Sequence, residues 1–109
     1  MGDESDKKPN FSVDAGVLKV NGELDEIEPN EFLAQLKQYA ESEVSAPVLD
    51  LGDISFLPSY HVNGIREAGD AFVREGRALT VCARRNVKKL LERMGLGASI
   101  RLKSTEPEG

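Results

Sequence analysis

Apolar positions along this chain change period several times, from alternate residues to every third or fourth and back, and most of the changes fall at glycine, proline or aspartate. Val17-Leu18-Lys19-Val20 lies between Ala15-Gly16 and Asn21-Gly22, a β-rich run bounded by breakers, and predicts a strand. Phe11 to Val13 predicts a shorter strand, paired with the first through an Asp14-Ala15-Gly16 turn. From Pro29 to Glu41, Phe32, Leu33, Leu36, Tyr39 and Ala40 recur on one helical face, with Pro29 near the start, where its missing N–H breaks no helical bond. Val48-Leu49-Asp50-Leu51, after Pro47, predicts a central strand covered on both faces. Ser59 to Glu75 predicts a second helix with Val62, Ile65, Phe72 and Val73 on its apolar face and Gly69 where a neighbour can approach closely. Ala78 to Ala83 follows the Gly76 turn as another apolar strand, with Cys82 as a small core residue. Asn86 is then placed to cap a helix with the stripe Val87, Leu90, Leu91 and Met94, ended by Gly95 at C′, and Ser99 to Leu102 is the last strand.

The order is β-β-α-β-α-β-α-β. Strands alternating with helices imply an α/β fold with parallel pairing through right-handed crossovers, here a four- or five-stranded sheet. If all three helices lie on one face, the other needs cover from a partner, a tail or polar side chains. Residues 1 to 10 and 103 to 109 carry almost no apolar side chains and are expected to be flexible tails around one domain at 11 to 102.

Composition narrows the function classes. With 19 acidic against 14 basic side chains, net charge −5, the average field repels nucleic acid and anionic membranes. The basic cluster Arg84, Arg85, Lys88, Lys89 and Arg93 is expected to be the solvated face of a helix. One cysteine and one histidine, Cys82 and His61, cannot assemble a four-ligand zinc site of the usual kind, and no metal or cofactor is expected. No apolar run approaches the length needed to span a bilayer, and the polar, acidic start is unlike a signal peptide, so a cytoplasmic protein without membrane insertion is expected. There is no C-x-x-C, no phosphate-binding G-x-x-x-x-G-K-[ST] and no dinucleotide fingerprint; Gly95-Leu96-Gly97 follows a helix, where such a fingerprint must follow a strand. A binding protein is expected, not an enzyme.

Three stretches carry a resemblance. Val17-Leu18-Lys19-Val20-Asn21-Gly22-Glu23-Leu24-Asp25 resembles the strand, turn and Leu-Asp pair that open STAS domains. Val48-Leu49-Asp50-Leu51-Gly52-Asp53-Ile54-Ser55-Phe56-Leu57 is similar to their central strand and following loop, and residues 77–96 to their fourth strand, third helix and Gly-Leu turn. The resemblance, which covers residues 11 to 102, implies an anti-sigma-factor antagonist or related partner-switching protein. Its partners would be an anti-sigma serine kinase and a PP2C-type phosphatase, with homodimerisation left open. Alternatives within the family are a constitutive scaffold subunit and a subunit of a lipid-transport complex.

In that family the loop after the central strand reads Asp-Ser-Ser-Gly or a near variant, and a Ser or Thr in it is phosphorylated at the start of the second helix, where free amides and the helix dipole favour added negative charge. Here Pro58-Ser59-Tyr60-His61 stands in its place, which makes Ser59 and Tyr60 the candidate phosphorylation positions. The departure at Pro58, Tyr60 and His61 leaves binding better supported than regulated phosphorylation. Ser59 also suits a helix N-cap. The resemblance places Asp25, Asp50, Ser59, Tyr60 and His61 at the partner edge; local chemistry alone allows Asp25 as a turn residue, Asp50 as a polar strand end, and Tyr60 and His61 as surface residues or as a packed pair.

Overall fold

The computed structural model describes residues 10–25 and 27–105, and the chain threads through one five-stranded sheet in sequential order. Strand β1 (Asn10–Asp14) turns into β2 (Val17–Asn21), followed by α1 (Pro29–Ala40), β3 (Val48–Leu51), α2 (Val62–Arg74), β4 (Thr80–Ala83), α3 (Arg85–Arg93) and β5 (Arg101–Ser104). The first pair is antiparallel and the rest are parallel. The hairpin turn has two residues, Ala15 and Gly16, both with positive φ (54° and 80°). That geometry matches the twist of the paired strands, and Gly16 adopts it without the steric penalty a side chain brings.

Strands that advance in one direction through right-handed crossovers put every helix on the same face of the sheet. Burial agrees. Leu18, Val20, Leu49, Leu51, Val81 and Ala83 alternate along their strands on one face and form a single core with Phe32, Leu36 and Tyr39 of α1, Val62, Ile65 and Phe72 of α2, and Val87 and Leu91 of α3. Each large side chain so buried contributes about 1.5–3 kcal/mol. Two polar clamps tie the layers. The Tyr39 hydroxyl accepts from the Val48 amide at 2.9 Å and reaches the Gly16 carbonyl. Arg77 lies 4.6 Å over the Phe72 ring and donates to the carbonyls of Ser42 (2.9 Å), Val44 (2.8 Å) and Ala40 (3.1 Å) beyond and at the end of α1.

The opposite face carries no helix among the described residues. Lys19, Asp50, Cys82 and Lys103 stand there in one register row, none of them buried. This corrects two expectations: β3 is covered on one face, and Cys82 is half-buried on the open face instead of in the core. Polar side chains, one of the three kinds of cover the sequence left open, occupy most of this face, with the half-buried Val17 and Val48 in the row that continues to Thr80 and Arg101.

Other boundaries shift. Residues Ser59–His61 form a 3₁₀ turn, and α2 starts at Val62. Val73 (50% exposed) and Met94 (40%) leave the apolar stripes assigned to them, because each lies about 100° around its helix from a buried neighbour or past the last turn. Asn86 lies inside α3, whose N-cap position is Arg84, while Gly95 does end the helix in the left-handed conformation. The last strand runs to Ser104 instead of ending at Leu102, and the Thr105 amide still bonds to Ala83 at 2.9 Å, so residues 103–105 belong to the folded sheet. Asn10, expected in the N-terminal tail, opens β1, and the rest of the expected tails, 1–9 and 106–109, lies outside the described residues.

Candidate functional site

At the carboxyl ends of the parallel strands, the usual place for ligand-binding loops in α/β sheets, three segments converge. They are the loop after β2, the loop after β3 and the first turn of α3. Leu24, Ile54 and Leu57 anchor the two loops in the core with at most 1% exposure. With Ile54 and Leu57 turned inward, Ser55 and Phe56 between them face out, and Phe56 is 60% exposed.

Polar bonds join the three segments. The Glu23 carboxylate accepts from the Ser55 amide (3.0 Å) and from its hydroxyl (2.8 Å), while the Ser55 carbonyl accepts from Asn86 Nδ2 (2.8 Å). Arg84 Nε donates to the Gly52 carbonyl at 3.0 Å. Each such bond has a net worth of about 0.5–1.5 kcal/mol, up to about 3 where one partner is charged, and together they set the shape of the rim.

Pro58 leads into the 3₁₀ turn, where Ser59, Tyr60 and His61 take three different environments. Ser59 is exposed, and no side chain caps the turn or α2, so its N-cap role is not realised: the N-cap position of α2 is His61. Tyr60 is 49% exposed, and its hydroxyl points to the Asp25 carbonyl at 3.4 Å. A shallow cleft beside it is lined by Asp25, Ile27, Glu28, Pro29 and Tyr60.

His61 is buried, with 1% exposure, so it does not form part of a contact surface as the partner-edge assignment required. Its ring packs edge-on against Phe32 (centroids 4.9 Å apart) and beside Tyr60 (4.6 Å), and Nε2 lies 2.9 Å from the Leu24 carbonyl. A carbonyl can only accept, which puts the proton on Nε2; Nδ1 is buried without a partner. His61 thus supports the edge from behind by fixing Tyr60 and the segment before Asp25.

Asp25 and Tyr60 come together at the rim, and Ser59 is exposed beside Tyr60 in the same turn. Asp50 does not join them. It lies on the open sheet face between Lys19 and Cys82, and its Oδ1 accepts from the Gly52 amide at 2.9 Å. Burial first, and the Asp50 carboxylate second, push the Cys82 thiol above its ordinary pKa, with Lys103 opposing them. Among the described residues no group of three or more His, Cys, Asp or Glu is placed to hold a metal ion, and no helix is long and apolar enough to cross a membrane.

The sequence reading missed Phe56 and the Glu23–Ser55–Asn86 chain. Within Ile54-Ser55-Phe56-Leu57, Phe56 has the composition of a core residue, and only its place between two anchored neighbours turns it outward. Glu23 and Ser55 lie 32 positions apart, with no local signal connecting them.

A sequential, mostly parallel sheet with its helices on one face and a built-up rim at the strand ends defines an α/β domain that presents a loop surface to its surroundings. The sequence profile of the STAS domain matches residues 6–109, and the chain belongs to that family. A search among curated proteins found no match.

Proposed function

We propose that this STAS domain is a partner-switching module, an anti-sigma-factor antagonist that docks an anti-sigma serine kinase through the rim formed by Asp25, Phe56, Ser59 and Tyr60. The observation that carries this reading is the pair of exposed aromatics, Phe56 and Tyr60, on loops whose other apolar residues are buried. Exposed aromatic side chains on a rigid support are the residue types that anchor protein interfaces. The module acts by binding, not by catalysis. Cys82, the one thiol, is shifted toward its protonated, unreactive form and lies half-buried on the open sheet face.

Ser59 is the hydroxyl a kinase partner would reach, being exposed beside Tyr60. A phosphate there adds about −1.5 to −2 charges beside the exposed Tyr60, which opposes any contact made through this rim. A PP2C-type phosphatase would restore the binding form. Incubation with the kinase and ATP followed by mass spectrometry tests the switch: phosphate on Ser59 supports it. An unmodified chain that still forms the complex assigns the protein to the second reading, a constitutive STAS scaffold, which the Pro58-Ser59-Tyr60-His61 sequence favours. Failure to form a complex with such kinases, with or without nucleotide, contradicts the antagonist reading.

A further inference from the structure

The acidic rim and the basic helix meet on one continuous surface. Glu23 bonds Ser55 and Ser55 bonds Asn86, so the loop after β2, the loop after β3 and the first turn of α3 form one strip. On one side of the strip Asp25 and Glu28 are exposed, and among the described residues neither has an ion-pair partner. On the other side Arg85, Lys89 and Arg93 recur at i, i+4 and i+8, along the outer stripe of α3 opposite the buried Val87 and Leu91. Lys89 and Arg93 likewise have no ion-pair partner among the described residues. Phe56, 60% exposed and next to Ser55, is on the loop after β3, and β3 lies between β2 and β4, the strands that lead into the acidic loop and into α3.

A surface acidic on one side, basic on the other and apolar at the seam is complementary to itself about a two-fold axis, since each half meets its opposite on the second copy. The geometry points to this strip as the interface of a homodimer, with the two Phe56 rings meeting near the axis and Asp25 and Glu28 of each copy facing Lys89 and Arg93 of the other. A second copy is the occupant that fits. Its counter-charges are already on the chain, whereas nucleic acid meets the acidic half and a net charge of −5. The dimer buries the same rim that the kinase would use, so the two associations exclude each other. The dimer itself needs no kinase, and its failure leaves the proposed function standing.

Sedimentation velocity on the full chain over a concentration series tests it. The expected result is a dimer at low salt that weakens at least about tenfold between about 50 mM and 500 mM salt. Lys89→Glu combined with Arg93→Glu, and separately Asp25→Lys combined with Glu28→Lys, are each expected to be monomeric while keeping the native circular dichroism spectrum. An equimolar mixture of the two variants is expected to form a heterodimer. If a double reversal unfolds, the single variants Lys89→Glu and Asp25→Lys, each alone and then mixed, give the same comparison. A native chain monomeric throughout at low salt overturns the proposal, as does a dimer indifferent to both reversals or a mixture that stays monomeric. Capture of an acidic peptide by a monomeric native chain also overturns it and assigns the stripe to another protein.

Discussion

His61 joins two loops with one ring, through Nε2–H to the Leu24 carbonyl and through edge contacts with Phe32. Truncation leaves a cavity and takes from the Leu24 carbonyl the shorter of its two hydrogen bonds, the other coming from the Ile27 amide at 3.3 Å. His61→Ala is expected to lower stability by roughly 2–4 kcal/mol in urea unfolding and to loosen Tyr60. Nothing in the sequence distinguished this packed role from a surface one, because Tyr60 and His61 are neighbours and only the tight 3₁₀ turn sends one out and the other in. Cys82 was misplaced for a related reason: cysteine is so often buried that composition favoured the core, while the alternation of β4 put it on the open face. Folding raises its pKa, so at a given pH a smaller fraction is thiolate, and alkylation by iodoacetamide at mildly alkaline pH is expected to be slower than for a free thiol. Asp50→Asn removes one of the two causes of the shift and should speed the reaction; an unchanged rate contradicts the assignment. By the same shift, the stability this group contributes is full below the unfolded thiol's pKa and is lost as pH rises through the raised value.

Among the elements, α1 was legible because five apolar residues keep one face over three turns, and Gly69 was legible as a close-approach position on α2. A Cβ at Gly69 would fall on Ile100 Cγ2, a branched methyl with little freedom to move. Gly69→Ala is therefore expected to destabilise by about 1–3 kcal/mol, despite a gain in helix propensity of about 1 kcal/mol. In an Ile100→Ala background the same change is expected to become neutral or stabilising. Equal costs in both backgrounds contradict the contact. Arg77 had no signal in sequence, since the carbonyls it binds lie 33 to 37 positions earlier. Arg77→Ala is expected to cost about 1.5–3 kcal/mol in chemical denaturation, and Arg77→Lys most of that, because a single ammonium cannot reproduce the forked geometry.

For the whole molecule, the order of strands and helices was legible from periodicity, but the one-sidedness of the sheet was not. Val48, Leu49 and Leu51 make β3 look buried on both faces, and only the register of Lys19, Asp50, Cys82 and Lys103 across four strands reveals an open, polar face. The candidate rim was half legible. Asp25, Ser59 and Tyr60 came from the resemblance to STAS domains, while Phe56 and the Glu23–Ser55–Asn86 bonds depend on contacts distant in sequence. Phe56 and Tyr60 are proposed to anchor a kinase partner on this rim, and titration calorimetry with an anti-sigma serine kinase from the same genome tests that role. The expected result is a complex that Phe56→Ala and Tyr60→Ala each weaken at least about tenfold, roughly 1.4 kcal/mol, while Val73→Ala, at a comparably exposed apolar residue on α2, leaves it unchanged. Binding that all three variants retain at native strength would contradict it.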